Sequence, residues 1–146
     1  MSEEKSTQKP EENLPKDRVD LFPVFKTLYD LVLDFERAHA QFPKVHKYSV
    51  GKRLSLSLIV AVENLTEAIV SEVRREKALV ATIVELEKSR ILIRISHDLK
   101  AIDTKRYARF AKLIVEALNQ VGGLLKVEKK RSDKSSEVPD QKRTKK

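Results

Sequence analysis

The chain has 146 residues, a net charge of +8 and a sequence pI near 9.7, which fits one domain with tails and leans toward polyanionic partners. It contains no cysteine and no tryptophan, excluding a disulfide scaffold and a cysteine-based zinc site. No apolar run approaches the roughly 18 residues that a membrane span needs, and no apolar leader follows the first residues, so the expectation is a cytoplasmic protein that is neither secreted nor inserted in a membrane.

Residues 1–17 hold five acidic side chains against three lysines, two prolines and almost nothing apolar beyond Leu14. That composition predicts a disordered arm. From residue 18 to 125 the pattern is that of one all-α domain, because glycine and proline are scarce and fall near ends or at one candidate turn. A first helix is expected from Leu21 to Gln41, with Leu21, Val24, Phe25, Leu28, Leu31, Val32, Phe35 and Phe42 at helical spacing and Pro43 as its stop. Ser49 is the expected N-cap of a second helix reaching Glu76, striped by Leu54, Leu58, Val62, Leu65, Ile69 and Val73. A third helix is expected from Lys77 to Ala101. Asp103 or Thr104 should cap a fourth, carried by Tyr107, Phe110, Ile114, Leu118 and Val121 and ended by the Gly122-Gly123 pair. Four helices with short connections predict an up-down-up-down four-helix bundle. Residues 126–146 carry nine basic against four acidic side chains, a net of +5, and are expected to be a disordered basic tail. The arm carries −2, so residues 18–125 hold the remaining +5.

The third helix carries two apolar arcs. Val80, Val84, Ile91, Ile95, Leu99 and Ile102 lie on one side; Leu79, Ile83, Leu86 and Ile93 lie on another, with Arg90, Arg94 and His97 among them. A bundle helix needs one buried stripe, so the second arc is expected at a subunit contact of a homo-oligomer, the alternative being a wide core face in a monomer.

Catalytic chemistry finds little footing. His39, His46 and His97 are far apart in sequence, and no serine sits in a nucleophile elbow. Glu36-x-x-His39 matches half of a di-iron carboxylate signature, but the second copy is missing, so a structural histidine is preferred and neither metal nor cofactor is expected. The basic residues cluster instead: Lys105, Arg109 and Lys112 on the fourth helix, Arg74, Arg75 and Lys77 at a helix junction, and Lys52 and Arg53 at the start of the second helix. Together with Arg90, Arg94 and His97 these are the candidate phosphate-binding residues, suited to salt-dependent, sequence-tolerant contact with RNA or DNA. Tyr48 and Tyr107 are the only ambiguous candidates for exposed aromatics, which weighs against recognition by base stacking.

The segment Phe42-Pro43-Lys44-Val45-His46-Lys47-Tyr48-Ser49-Val50-Gly51-Lys52-Arg53-Leu54 resembles the signature turn of the accessory variability determinant family of diversity-generating retroelements. Arg90 through Lys100 is similar to that family's third helix, and Tyr107 through Leu124 to its last, although Leu124 stands where the family usually has tryptophan. The resemblance spans roughly residues 20–126. It implies a ring of five bundles that binds the retroelement's reverse transcriptase and nucleic acid during mutagenic copying, without being a polymerase itself, and it carries Arg90, Arg94 and His97 over as part of a basic functional surface. The four-helix proteins encoded in bacterial 23S ribosomal RNA intervening sequences share a similar turn. For that branch the expectation is an interaction protein whose charges only solubilise it.

Overall fold

The computed structural model describes residues 22–144, with side chains from 23 to 134. The expected arm at 1–17 and the first-helix position Leu21 lie outside the described residues. Within them the chain is helical, without a strand, and four long helices share one core.

Helix α1 spans Phe22–His39 and buries Val24, Leu28, Leu31, Phe35 and Ala38, the i, i+4, i+7 ladder that a helix needs to turn one face inward. Pro43 ends it as expected, with backbone at φ −55° and ψ 141°. Ser49 is not the N-cap of the next helix. The chain re-enters a helical turn directly after Pro43, at Lys44–His46, passes through a π turn at Lys47–Gly51, and continues into α2, Lys52–Val70. The proline carbonyl receives the amides of His46 and Lys47, and the Ser49 hydroxyl bonds back to the Val45 carbonyl at 3.2 Å, so its side chain serves a turn already formed.

Helix α2 stops at Val70, six residues before the expected Glu76. Ser71 is extended at φ −112° and ψ 112°, and its hydroxyl accepts the amide of Arg74 at 3.1 Å, closing the turn to α3. Val73, expected in the buried stripe, is therefore the most exposed large apolar side chain described, at 96%. Helix α3 spans Arg75–Asp98 and α4 spans Thr104–Thr144. Asp103 caps α4, its carboxylate accepting the Arg106 amide at 2.8 Å. Phe110, Ile114, Ala117 and Val121 are its buried face.

The arcs of α3 are the reverse of the sequence expectation. Leu79, Leu86 and Ile93 are core residues, interleaved at the same seven-residue spacing with Thr82, Ser89 and Ser96, which are all fully buried. Each of these hydroxyls donates to the carbonyl four residues back, at 2.8–2.9 Å, so no polar group is stranded and the small side chains let neighbouring helices approach. Val80, Val84, Ile91, Ile95 and Leu99 face outward, between 41% and 64% exposed. The apolar stripe left uncovered is thus the arc assigned to the core from sequence, apart from Ile102 beyond the end of α3, which is buried.

The Gly122-Gly123 pair does not end α4. Neither glycine has positive φ, nothing lies within 4 Å of where a Cβ would be, and the helix runs on, so the basic segment from 126 continues as helix to Thr144 rather than leaving the fold as a disordered tail. At 41 residues α4 is about 60 Å long, from about 1.5 Å of rise per residue.

Candidate nucleic-acid interface

Three observations bring the α1–α2 junction and the α3–α4 junction to the same end of the bundle. Asp34, late in α1, takes a paired hydrogen bond from Arg109, early in α4. His97 near the end of α3 meets Thr104 at the start of α4, Nε2 to Oγ1 3.2 Å. Helix α3 also packs against the π turn Lys47–Gly51.

This placement segregates charge. Residues 34–57 and 90–112, which form that end, carry twelve basic against four acidic side chains, a net of +8. The rest of 22–125 carries five basic against eight acidic, a net of −3. Within residues 22–125 the positive excess therefore sits at one pole, with the glutamates 63, 67, 72 and 76 toward the other, while the continuation of α4 over 126–144 past that other end adds seven basic against four acidic side chains, a net of +3.

Of the residues expected from sequence, Lys52, Arg53, Arg90, Arg94, His97, Lys105, Arg109 and Lys112 belong to this pole. They are not equally free. Arg94, Lys105 and Lys112 are exposed, and among the described residues no carboxylate pairs with them. Arg90 lies 3.7 Å from Glu87. Arg53 donates to Ser57 at 2.6 Å, and Arg109 is committed to Asp34. His97 is tied down by Thr104, by Asp98 at 3.9 Å and by stacking on Tyr107 at 4.5 Å, so it braces the α3–α4 junction more than it offers a free imidazole.

Arg74, Arg75 and Lys77 do not join the pole. They lie at the opposite end, where Arg74 pairs with Glu67 at 3.4 Å. Arg75 is withdrawn from solvent altogether, 3% exposed; its Nε donates to the Ala68 carbonyl at 2.7 Å and its Nη1 lies 3.8 Å from Glu128. A guanidinium locked among three helices has no reach to a phosphate, so its assignment to the interface is corrected.

Sequence reasoning passed over Lys44, Lys47, Lys100 and Arg106, which the fold gathers into the same pole. The first two stood inside the signature turn. Lys100 carried a different mark: its φ of 63° is left-handed, and it closes α3 with its amide on the His97 carbonyl and the Ala101 amide on the Ser96 carbonyl, a position where glycine is the unstrained choice. A lysine there costs about 1 kcal/mol or more in backbone strain and places an ammonium at the pole.

The turn that carries four of these cations is held by His39. Its Nε2 lies 2.8 Å from the Lys47 carbonyl; a carbonyl only accepts, so Nε2 carries the proton. The ring stacks on Phe35 and meets Phe42 edge-on, and its Nδ1 faces Glu36 at 3.9 Å. Glu36 is itself engaged by the Ser55 hydroxyl. These contacts make the Glu36-x-x-His39 pair a brace between α1 and α2, and among the described residues no three acidic, histidine or cysteine side chains gather to hold a metal ion. No helix of the described residues is long and apolar enough to cross a membrane. Neither a protein-family model nor a curated protein matches this sequence.

Proposed function

We propose that this chain is a non-catalytic, cytoplasmic nucleic-acid-binding protein that grips phosphate backbones with one pole of an up-down-up-down bundle and assembles with copies of itself. The observation that carries the reading is the segregation of charge, +8 at one end against no net charge over the rest of residues 22–144. Lysines and arginines gathered from two junctions neutralise several phosphates at once and release their counterions, which gives affinity without sequence preference. The alternating course of the helices is supported by the Asp34–Arg109 and Arg75–Glu128 pairings at opposite ends. Within this reading the resemblance in residues 42–54, 90–100 and 107–124 points to the reverse transcriptase of a diversity-generating retroelement as protein partner, its template RNA as ligand, and a ring of five copies as the assembly.

Structured RNA titrated against increasing salt tests the core of the proposal. Arg94→Glu combined with Lys105→Glu is expected to weaken binding more than about tenfold and to lower the salt slope by about 0.7–0.9 for each phosphate that is no longer neutralised. Lys77→Glu, at the other end, is expected to leave both nearly unchanged. Equal losses from the two ends, or salt-independent binding by the wild type, would refute the pole as the interface.

Self-association rests on the outward stripe of α3. Five large aliphatic side chains in a row on a folded surface are a liability unless covered. Ile91→Glu with Ile95→Glu is expected to convert an oligomer to a monomer in light scattering at micromolar concentration. A wild type that is already monomeric there ends this part of the reading. The rival 23S ribosomal RNA intervening-sequence type of protein uses the same stripe for another protein and predicts an oligomer or complex with no RNA affinity.

A further inference from the structure

Tyr48 lies in the π turn at the basic pole and is 67% exposed. Among the described residues its only ring contact is the Lys47 ammonium, 5.9 Å from the ring centroid. The residue is not on a loose loop. The carbonyl of Lys47, immediately before it, is held by His39, and the π turn that contains both closes on buried Gly51. From the next residue, Ser49, along the start of α2 lies an open depression of about 380 Å³ lined by Ser49, Lys52, Arg53, Ser55, Leu56 and Ile59. Leu56 and Ile59 are large apolar side chains left 52% and 41% exposed, and Lys52 and Arg53 bring two cations to the same depression.

We infer that Tyr48 and this depression form a binding site for unpaired nucleotides, with one base stacked on the Tyr48 ring and a neighbouring base against Leu56 and Ile59 while Lys52 and Arg53 hold the phosphates between them. This rests on the nucleic-acid reading above and narrows its ligand to single-stranded segments, loops or bulges. The chemistry selects that class. The open face of the phenol ring and a shallow aliphatic wall match the flat, apolar face of a base. A base inside a duplex has both faces already stacked and cannot present one. The adjacent cations supply the backbone contact that fixes where the bases fall.

The test uses the full chain with two labelled probes, a twelve-nucleotide oligouridine and a twelve-base-pair RNA duplex. Tyr48→Ala is expected to weaken the single strand by about fivefold or more, the range for losing one stacked base, and to leave duplex affinity within about twofold. Tyr48→Phe is expected to keep the affinity. Because the chain has no tryptophan, tyrosine emission is directly readable: oligouridine should quench it in the wild type, and much less in Tyr48→Phe. Single-strand affinity unchanged in Tyr48→Ala, or equal losses on both probes with an unaltered thermal melt, overturns the site while leaving phosphate binding by the pole intact. Absence of binding to either probe by the wild type instead refutes the underlying reading. Dissociation of an oligomer by Leu56→Glu would make the depression a subunit contact and also overturn the proposal.

Discussion

Alanine at Gly51 is expected to destabilise the fold by about 1–3 kcal/mol, the range for forcing extra atoms into a packed interior. Gly51 has ordinary helical backbone, φ −62° and ψ −48°, so the need for glycine here is one of space. A Cβ would lie 2.7 Å from Cδ2 and Nε2 of His39 and 2.9 Å from Cδ2 of Phe42. Neither ring can give way cheaply: the imidazole is pinned by its bond to the Lys47 carbonyl and wedged against Phe35, and Phe42 is buried. Chemical denaturation followed by circular dichroism should show a lower midpoint with an unchanged slope. The cause is checked by coupling. In a His39→Ala background the same substitution should cost much less, because the colliding ring is gone. A full penalty in both backgrounds would mean that the close approach to His39 is not the reason for the glycine.

Arg75→Ala is expected to cost about 3 kcal/mol, since truncating the buried guanidinium leaves the Ala68 carbonyl without its partner, opens space in the interior and removes one of the two cations on Glu128, the other being Arg131 at 3.3 Å. The residue links the end of α2, through the Ala68 carbonyl, to Glu128 of α4, and it does so at 3% exposure with one of its amino groups, Nη2, bonded to nothing in the fold. That unmet donor makes the arrangement imperfect, which sets the companion expectation. Arg75→Met together with Glu128→Gln should be within about 1 kcal/mol of wild type, because a well-packed apolar replacement avoids the desolvation of both charges. Folded Arg75→Ala should bind RNA as the wild type does. A variant that keeps its melting behaviour but loses RNA would return Arg75 to the interface.

Much of α1 and α4 was legible because their inward positions are large aliphatic and aromatic residues, so counting by three and four finds the face directly. Pro43 and Asp103 were readable for the same reason: each acts through local chemistry. Helix α3 was not. Its inward face alternates Leu79, Leu86 and Ile93 with Thr82, Ser89 and Ser96, and a hydroxyl that satisfies itself on its own helix reads as polar in sequence while it is buried in space. The outward face is the more apolar of the two, so apolar spacing alone assigns it to the core. The break at Ser71 hides in a segment without glycine or proline, and the glycine pair in α4 promises an end that the continuing helix overrides. For the candidate site, the basic residues chosen at 52–53 and across 90–112 reach the pole, whereas those at 74–77 do not. The buried state of Arg75 and the convergence of two distant junctions are long-range facts that spacing along the chain does not encode.

The lopsided distribution of charge has a mechanical consequence. Under the proposed function, a body that carries +8 at one end and no net charge over the rest of residues 22–144 turns near a polyanion until the charged end leads, so encounters are end-on. Molecules seated that way along one polymer are neighbours by their flanks, and the flank of α3 bears the uncovered aliphatic row. Occupancy of a long strand is then self-reinforcing, because each arrival raises the effective concentration of adhesive surface for the next.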